Sequence, residues 1–156
     1  MRAILSLAAL FAATSAQAQD VQELGEWMLQ AKPTSCSLGT NSGDTVLAFV
    51  VNKAGTPGTL RLTNAAWTLE GGKEYPAQLS FSSTAGQDKV TLRAAQSASG
   101  QRALMGSLTA SVAERFKASD MLSMEIEGID EFISVNITDG PRIWAAMEAC
   151  MAELPR

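Results

Sequence analysis

From Trp27 onward, apolar and polar side chains alternate in short runs broken by turn residues. Period-two spacing puts alternate side chains on opposite faces of a strand. Thr59–Asn64 places Leu60 and Leu62 on one face and Arg61 on the other; Tyr75–Phe81 groups Ala77, Leu79 and Phe81. Lys89–Ala94 pairs Val90 with Leu92. Met121–Glu127 sets Leu122, Met124 and Ile126 against Ser123, Glu125 and Glu127, and Glu131–Ile137 groups Ile133, Val135 and Ile137, so these two runs predict a hairpin. Trp27–Ala31 predicts a first strand after a polar lead-in at 20–26, and residues 101–108 are ambiguous, with a short strand the best fit. Thr45–Val51 is continuously apolar and bounded by turns, which predicts a strand covered on both faces. Cys36–Asp44 is rich in turn residues, and residues 95–100 predict a loop.

The spacing changes twice to a helical period. Leu108, Val112 and Phe116 recur every four residues, predicting a short helix near 109–118. Ile143, Met147, Cys150, Met151 and Leu154, with Trp144 beside them, form the stripe of a C-terminal helix near 140–154. Thr138 or Asp139 can cap it, and Pro141 suits its first turn because it has no amide hydrogen to leave unpaired. Seven to nine short strands with two late helices predict a mainly β, α+β domain. It is an antiparallel β-sandwich or partly closed barrel with the helices on one face or end.

The opening residues follow another rule. Arg2 precedes an uncharged apolar run through Ala13, and Ala16-Gln17-Ala18 supplies small residues at the spacing a signal peptidase accepts. The run is too short for the roughly 20 apolar residues of a spanning helix. Residues 1–18 therefore read as a cleaved signal peptide, and residues 19–156 as a single periplasmic domain with no integral membrane segment after cleavage. Loss of Arg2 leaves 11 basic against 16 acidic residues, a formal charge of −5. Such a domain is a poor partner for nucleic acid or an anionic membrane face. The chain has no histidine, which removes the Ser-His and Cys-His catalytic pairs and the commonest zinc ligand.

Cys36 and Cys150 are the only cysteines. An even count in an exported chain predicts a disulfide, and the single intrachain pairing closes a loop of about 115 residues. An intermolecular bridge or two free thiols are the alternatives. Neither cysteine lies in a C-x-x-C pair, so redox activity has no support.

Ser111–Ala118 leads into Met121–Ile126, and Ile133–Gly140 feeds the Ala-rich segment Ala145–Cys150. Together with an early Trp27 followed by Cys36, this order resembles the invasion-associated locus B family and related periplasmic domains, best over the last fifty residues. Members of that family often carry further cysteines in mid-chain, and this chain has none there. The resemblance implies an envelope-associated β-rich domain with no established reaction, and it transfers no active-site residue.

The sequence contains no G-x-S-x-G elbow, no Gly-rich phosphate loop, no H-E-x-x-H and no S-x-x-K. Glu125, Glu127, Asp130 and Glu131 gather at the expected hairpin. They can ligate a hard cation or act as an acid–base pair, but a solvated strand face accounts for them better. Trp27, Trp67 and Trp144 suit core packing better than ligand stacking. Arg61, Arg93 and Arg102 can line an outward face for an acidic ligand, though ordinary surface positions are the simpler reading. Met105, Met121, Met124, Met147 and Met151 read as core gap-fillers rather than copper ligands. No catalytic, metal or cofactor residue is assigned. The expected function is a non-enzymatic envelope-associated binding or scaffolding domain with an envelope or protein partner. Its alternatives are an inhibitor of a basic enzyme such as lysozyme and, last, a carboxylate-based hydrolase.

Overall fold

A computed structural model describes residues 20–96 and 100–155. The expected leader, 1–18, lies outside the described residues. Ten strands and two helices follow in the order β1 (Asp20–Leu24), β2 (Trp27–Lys32), β3 (Ser35–Ser42), β4 (Thr45–Val51), β5 (Thr59–Thr63), β6 (Glu74–Phe81), β7 (Gln87–Gln96), β8 (Arg102–Ser107), α1 (Val112–Lys117), β9 (Met121–Ile126), β10 (Phe132–Asn136) and α2 (Gly140–Ala152). The strands form one antiparallel sheet, ordered β1-β2-β3-β4-β5-β8-β7-β6-β9-β10. β1 to β5 meander; β6 to β8 then return so that β8 meets β5, and α1 carries the chain back to place β9 beside β6. The predicted mainly β architecture and the β9–β10 hairpin are observed.

Four sequence expectations need correction. The lead-in at 20–26 contains strand β1, paired with β2 from Asp20↔Ala31 to Leu24↔Trp27. Only Leu24 of β1 is buried, so ladder hydrogen bonds hold it and no apolar alternation marks it. The turn-rich stretch Cys36–Asp44 is mostly strand β3: Cys36, Leu38 and Thr40 point inward, while the small Ser37 and Gly39 between them hide the period. Gly43, at φ 57°, makes the actual turn. Strand β7 runs on to Gln96, into the expected loop. The first helix begins only at Val112, because the Thr109 and Ser111 hydroxyls donate to the Asp88 carboxylate on β7.

The sheet does not close by a continuous ladder. Its β10 end instead meets β2, β3 and β4 through side chains. The Trp27 indole donates to the Asn136 carbonyl (2.8 Å), the Ser134 amide to Ser42 Oγ (3.2 Å), and Thr45 Oγ1 to Glu131 Oε1 (2.5 Å). The core lies inside this curl and beneath the helices. Phe116 of α1 sits between Trp27 (ring centroids 5.1 Å) and Trp144 of α2 (5.2 Å), with Phe49 of β4 at 5.9 Å. Edge-to-face and tilted contacts of this kind add to the burial of large rings.

Asp139, at φ 61°, caps α2 by accepting from the Arg142 amide, and Pro141 fills the first turn as predicted. Gly140 lets the helix start approach α1, since a β-carbon there would lie 2.6 Å from the Phe116 carbonyl oxygen. The Cys36–Cys150 disulfide then fastens α2 to β3 across 114 residues of sequence. Among the described residues, no helix is long and apolar enough to cross a membrane.

Candidate functional site

The carboxylates grouped by sequence separate into two roles. Glu131, just before β10, faces inward across the gap in the sheet. Its Oε1 accepts from Thr45 Oγ1 (2.5 Å), and its Oε2 from the Trp67 indole (2.7 Å) and Asn64 Nδ2 (3.3 Å). Asn64 Nδ2 also donates to Thr45 Oγ1 (2.9 Å), and Asn64 Oδ1 accepts from the Ala66 amide (2.8 Å). A charged acceptor with several donors is strongly held. Glu131 is thus a clamp joining the β5–β6 loop, the start of β4 and the hairpin. Nothing in the sequence spacing marks Thr45 or Asn64 as its partners, because 86 and 67 residues separate them from it.

Glu125, Glu127 and Asp130 remain outside that network. Their side chains make no hydrogen bond or ion pair among the described residues. They line an open groove of about 540 Å³, with Pro76 and Gln78 of β6 on one wall and Phe132 on the rim. Phe132 is 62% exposed, unusual for so large an apolar side chain. Its position follows from the strand period, which turns Ile133 and Val135 inward and Phe132 outward. The Glu127 amide donates to the Pro76 carbonyl (2.8 Å), which fixes the turn against β6. The groove runs toward a depression of about 300 Å³ lined by Trp67, Lys73, Tyr75 and Asp130. There Lys73 donates to Glu70 at 3.0 Å, and that hydrogen bond raises the ammonium above its ordinary value.

Among the described residues, no group of three or more His, Cys, Asp or Glu side chains is placed to hold a metal ion. Glu125 lies opposite Gln78 on one side and Phe132 on the other, and Ser80 and Ser123 line a small recess with it. The groove offers a negative surface with an apolar ledge, chemistry suited to a cationic group with an apolar body.

The other sequence candidates scatter. Trp27 and Trp144 belong to the core, while Trp67 is half-buried on the Glu131 clamp. Arg93 pairs with Glu74 (2.8 Å), and Arg102 donates to the Leu69 carbonyl. Arg61 makes no hydrogen bond or ion pair among the described residues. It stands in one cross-strand row with Ala48, Met105 and Arg93. Met124 and Met147 fill the core as expected, but Met105 and Met121 are exposed, on the outward phase of their strands.

A second surface escaped sequence reasoning. The outward face of β1–β5 holds a trough of about 360 Å³ with Ser37, Gly39 and Ala48 along its floor and Met28, Val46 and Arg61 at its sides. The apolar run 45–51 was expected to be covered on both faces. Only its inward face is covered, by Thr45, Leu47, Phe49 and Val51; Val46, Ala48 and Val50 face out of the sheet and are at least partly exposed. No protein-family model matches the chain, and no curated protein or solved structure matches it.

Proposed function

We propose that the protein is a non-enzymatic binding or scaffolding domain of the cell envelope, exported to the periplasm by a leader cleaved after Ala18. The hairpin groove carries this reading. Among the described residues, Glu125, Glu127 and Asp130 make no hydrogen bond or ion pair and stand beside an exposed Phe132. Unpaired charge around an apolar anchor favours recognition over proton transfer. The Cys36–Cys150 bridge supports an oxidising compartment. The resemblance to the invasion-associated locus B family supports the same placement, and we propose membership on that basis.

The expected result is binding of a basic protein surface without turnover. Mixing the purified protein with panels of glycosidic, ester and peptide substrates is expected to release no product. Activity that disappears in Glu125→Gln or Glu127→Gln would instead establish the carboxylate hydrolase. Intact mass with and without reductant checks the cleavage site and the bridge together.

The same groove favours a second reading, an inhibitor of a basic enzyme such as lysozyme. Its three free carboxylates suit a cationic surface, and their attraction is screened as salt rises. Lysozyme binding is expected at low ionic strength and weaker at physiological salt. Absence of binding at low salt removes the inhibitor reading and leaves the broader one standing.

A further inference from the structure

We propose that the outward face of β1–β5, remote in role from the hairpin groove, is a self-association surface that packs against the same face of a second copy. The face is uncovered, and Met28, Val46, Ala48 and Val50 form an apolar strip on it between polar residues such as Asn41, Arg61 and Thr63. Three of the large apolar residues left exposed in the fold lie on it, Val21 (50%), Met28 (54%) and Val46 (45%), and Met105 (38%) of β8 borders it beside Arg61. An antiparallel sheet packs one face on the core and leaves the other to solvent or to a partner. A sheet face also has its amides and carbonyls engaged in the ladder, so it offers nothing to an added strand and suits another flat layer.

The register indicates which layer. Pairing across the sheet sets one outward row in the order Glu23, Met28, Gly39, Ala48, Arg61. β3, carrying Gly39, is the middle strand of the five. A two-fold axis lying in the interface along β3 places Met28 of one copy over Ala48 of the other. It also places Arg61 over Glu23. Large then meets small, and a guanidinium meets a carboxylate, neither with a hydrogen-bond or ion-pair partner among the described residues. A two-fold axis along the row sets Arg61 over Arg61, so charge selects the first arrangement. Closed two-fold dimers are the commonest assemblies.

The area is sufficient for a weak dimer. Five strands about 4.8 Å apart and about six residues long span roughly 24 by 20 Å. Two such faces bury on the order of 1,000 Å², near the lower bound for a specific interface.

Sedimentation equilibrium of the purified protein from about 10 µM to about 1 mM tests the proposal. A monomer–dimer equilibrium is expected. Arg61→Glu and Glu23→Arg are each expected to weaken it about tenfold, and the two together to return it to within about threefold of the parent. Ala48→Trp, which fills the place of the partner's Met28, is expected to leave a monomer. Near-ultraviolet circular dichroism confirms that each variant keeps its packed aromatic core. A parent that stays monomeric to about 1 mM overturns the proposal. So does a dimer that the double charge reversal fails to restore, or one that Ala48→Trp leaves intact. Lysozyme binding and substrate turnover report separately on the hairpin groove.

Discussion

Strand β4 runs between two clamps of opposite character. Near its end, Val51 lies opposite Cys36, whose disulfide holds α2, and Phe49 belongs to the aromatic cluster under the helices. At its start, Thr45 is held by Glu131 in a network of polar side chains. The first clamp is covalent and apolar, and draws on area removed from water. The second is directional, and its value lies mainly in leaving no buried donor or acceptor unmatched. The same curled sheet is therefore fastened at one end by packing and at the other by geometry.

The comparison breaks most visibly at the apolar end. Phe116→Ala removes a fully buried ring touching Trp27, Phe49 and Trp144. It is expected to cost about 3–5 kcal/mol in urea unfolding, with near-ultraviolet ellipticity reduced. Reducing the disulfide, or replacing both cysteines by serine, is expected to cost about 2–4 kcal/mol, seen as a lower Tm. At the polar end, Thr45→Val leaves Glu131 Oε1 without its hydroxyl donor and is expected to cost about 1–3 kcal/mol. Hydrogen exchange there should rise at the Trp67 indole while the Trp27 indole stays protected, which separates the two clamps. Asp139→Ala removes the cap of α2 at a left-handed position and is expected to cost about 1 kcal/mol. Glu125→Gln with Glu127→Gln is expected to change stability by less than about 0.5 kcal/mol while weakening lysozyme binding, because both side chains are unpartnered.

Legibility in the sequence follows the same division. The apolar clamp was readable: period-two and period-four spacing identified the inward residues of most strands, the stripe of α2 and its cap, and two cysteines allowed one intrachain pairing. That pairing is the one observed. The polar clamp was not. Glu131 looked like one of four hairpin carboxylates, and only the folded sheet brings Thr45, Asn64 and Trp67 to it. Strand β3 was obscured because small outward residues resemble a turn when their inward neighbours are short or polar as well. Those same residues, Ser37 and Gly39, form the floor of the outer trough. The expectation that Thr45–Val51 is covered on both faces failed for a related reason. An apolar run does not say by itself which of its two faces the fold covers.

The position of the disulfide also bears on how the molecule matures. Cys150 follows Cys36 by 114 residues. A ribosome makes the chain from its amino end, so Cys36 emerges long before its mate. Throughout that interval Cys36 is a lone thiol, open to capture by a neighbouring nascent chain. Any truncation that removes Cys150 strands the early cysteine for good.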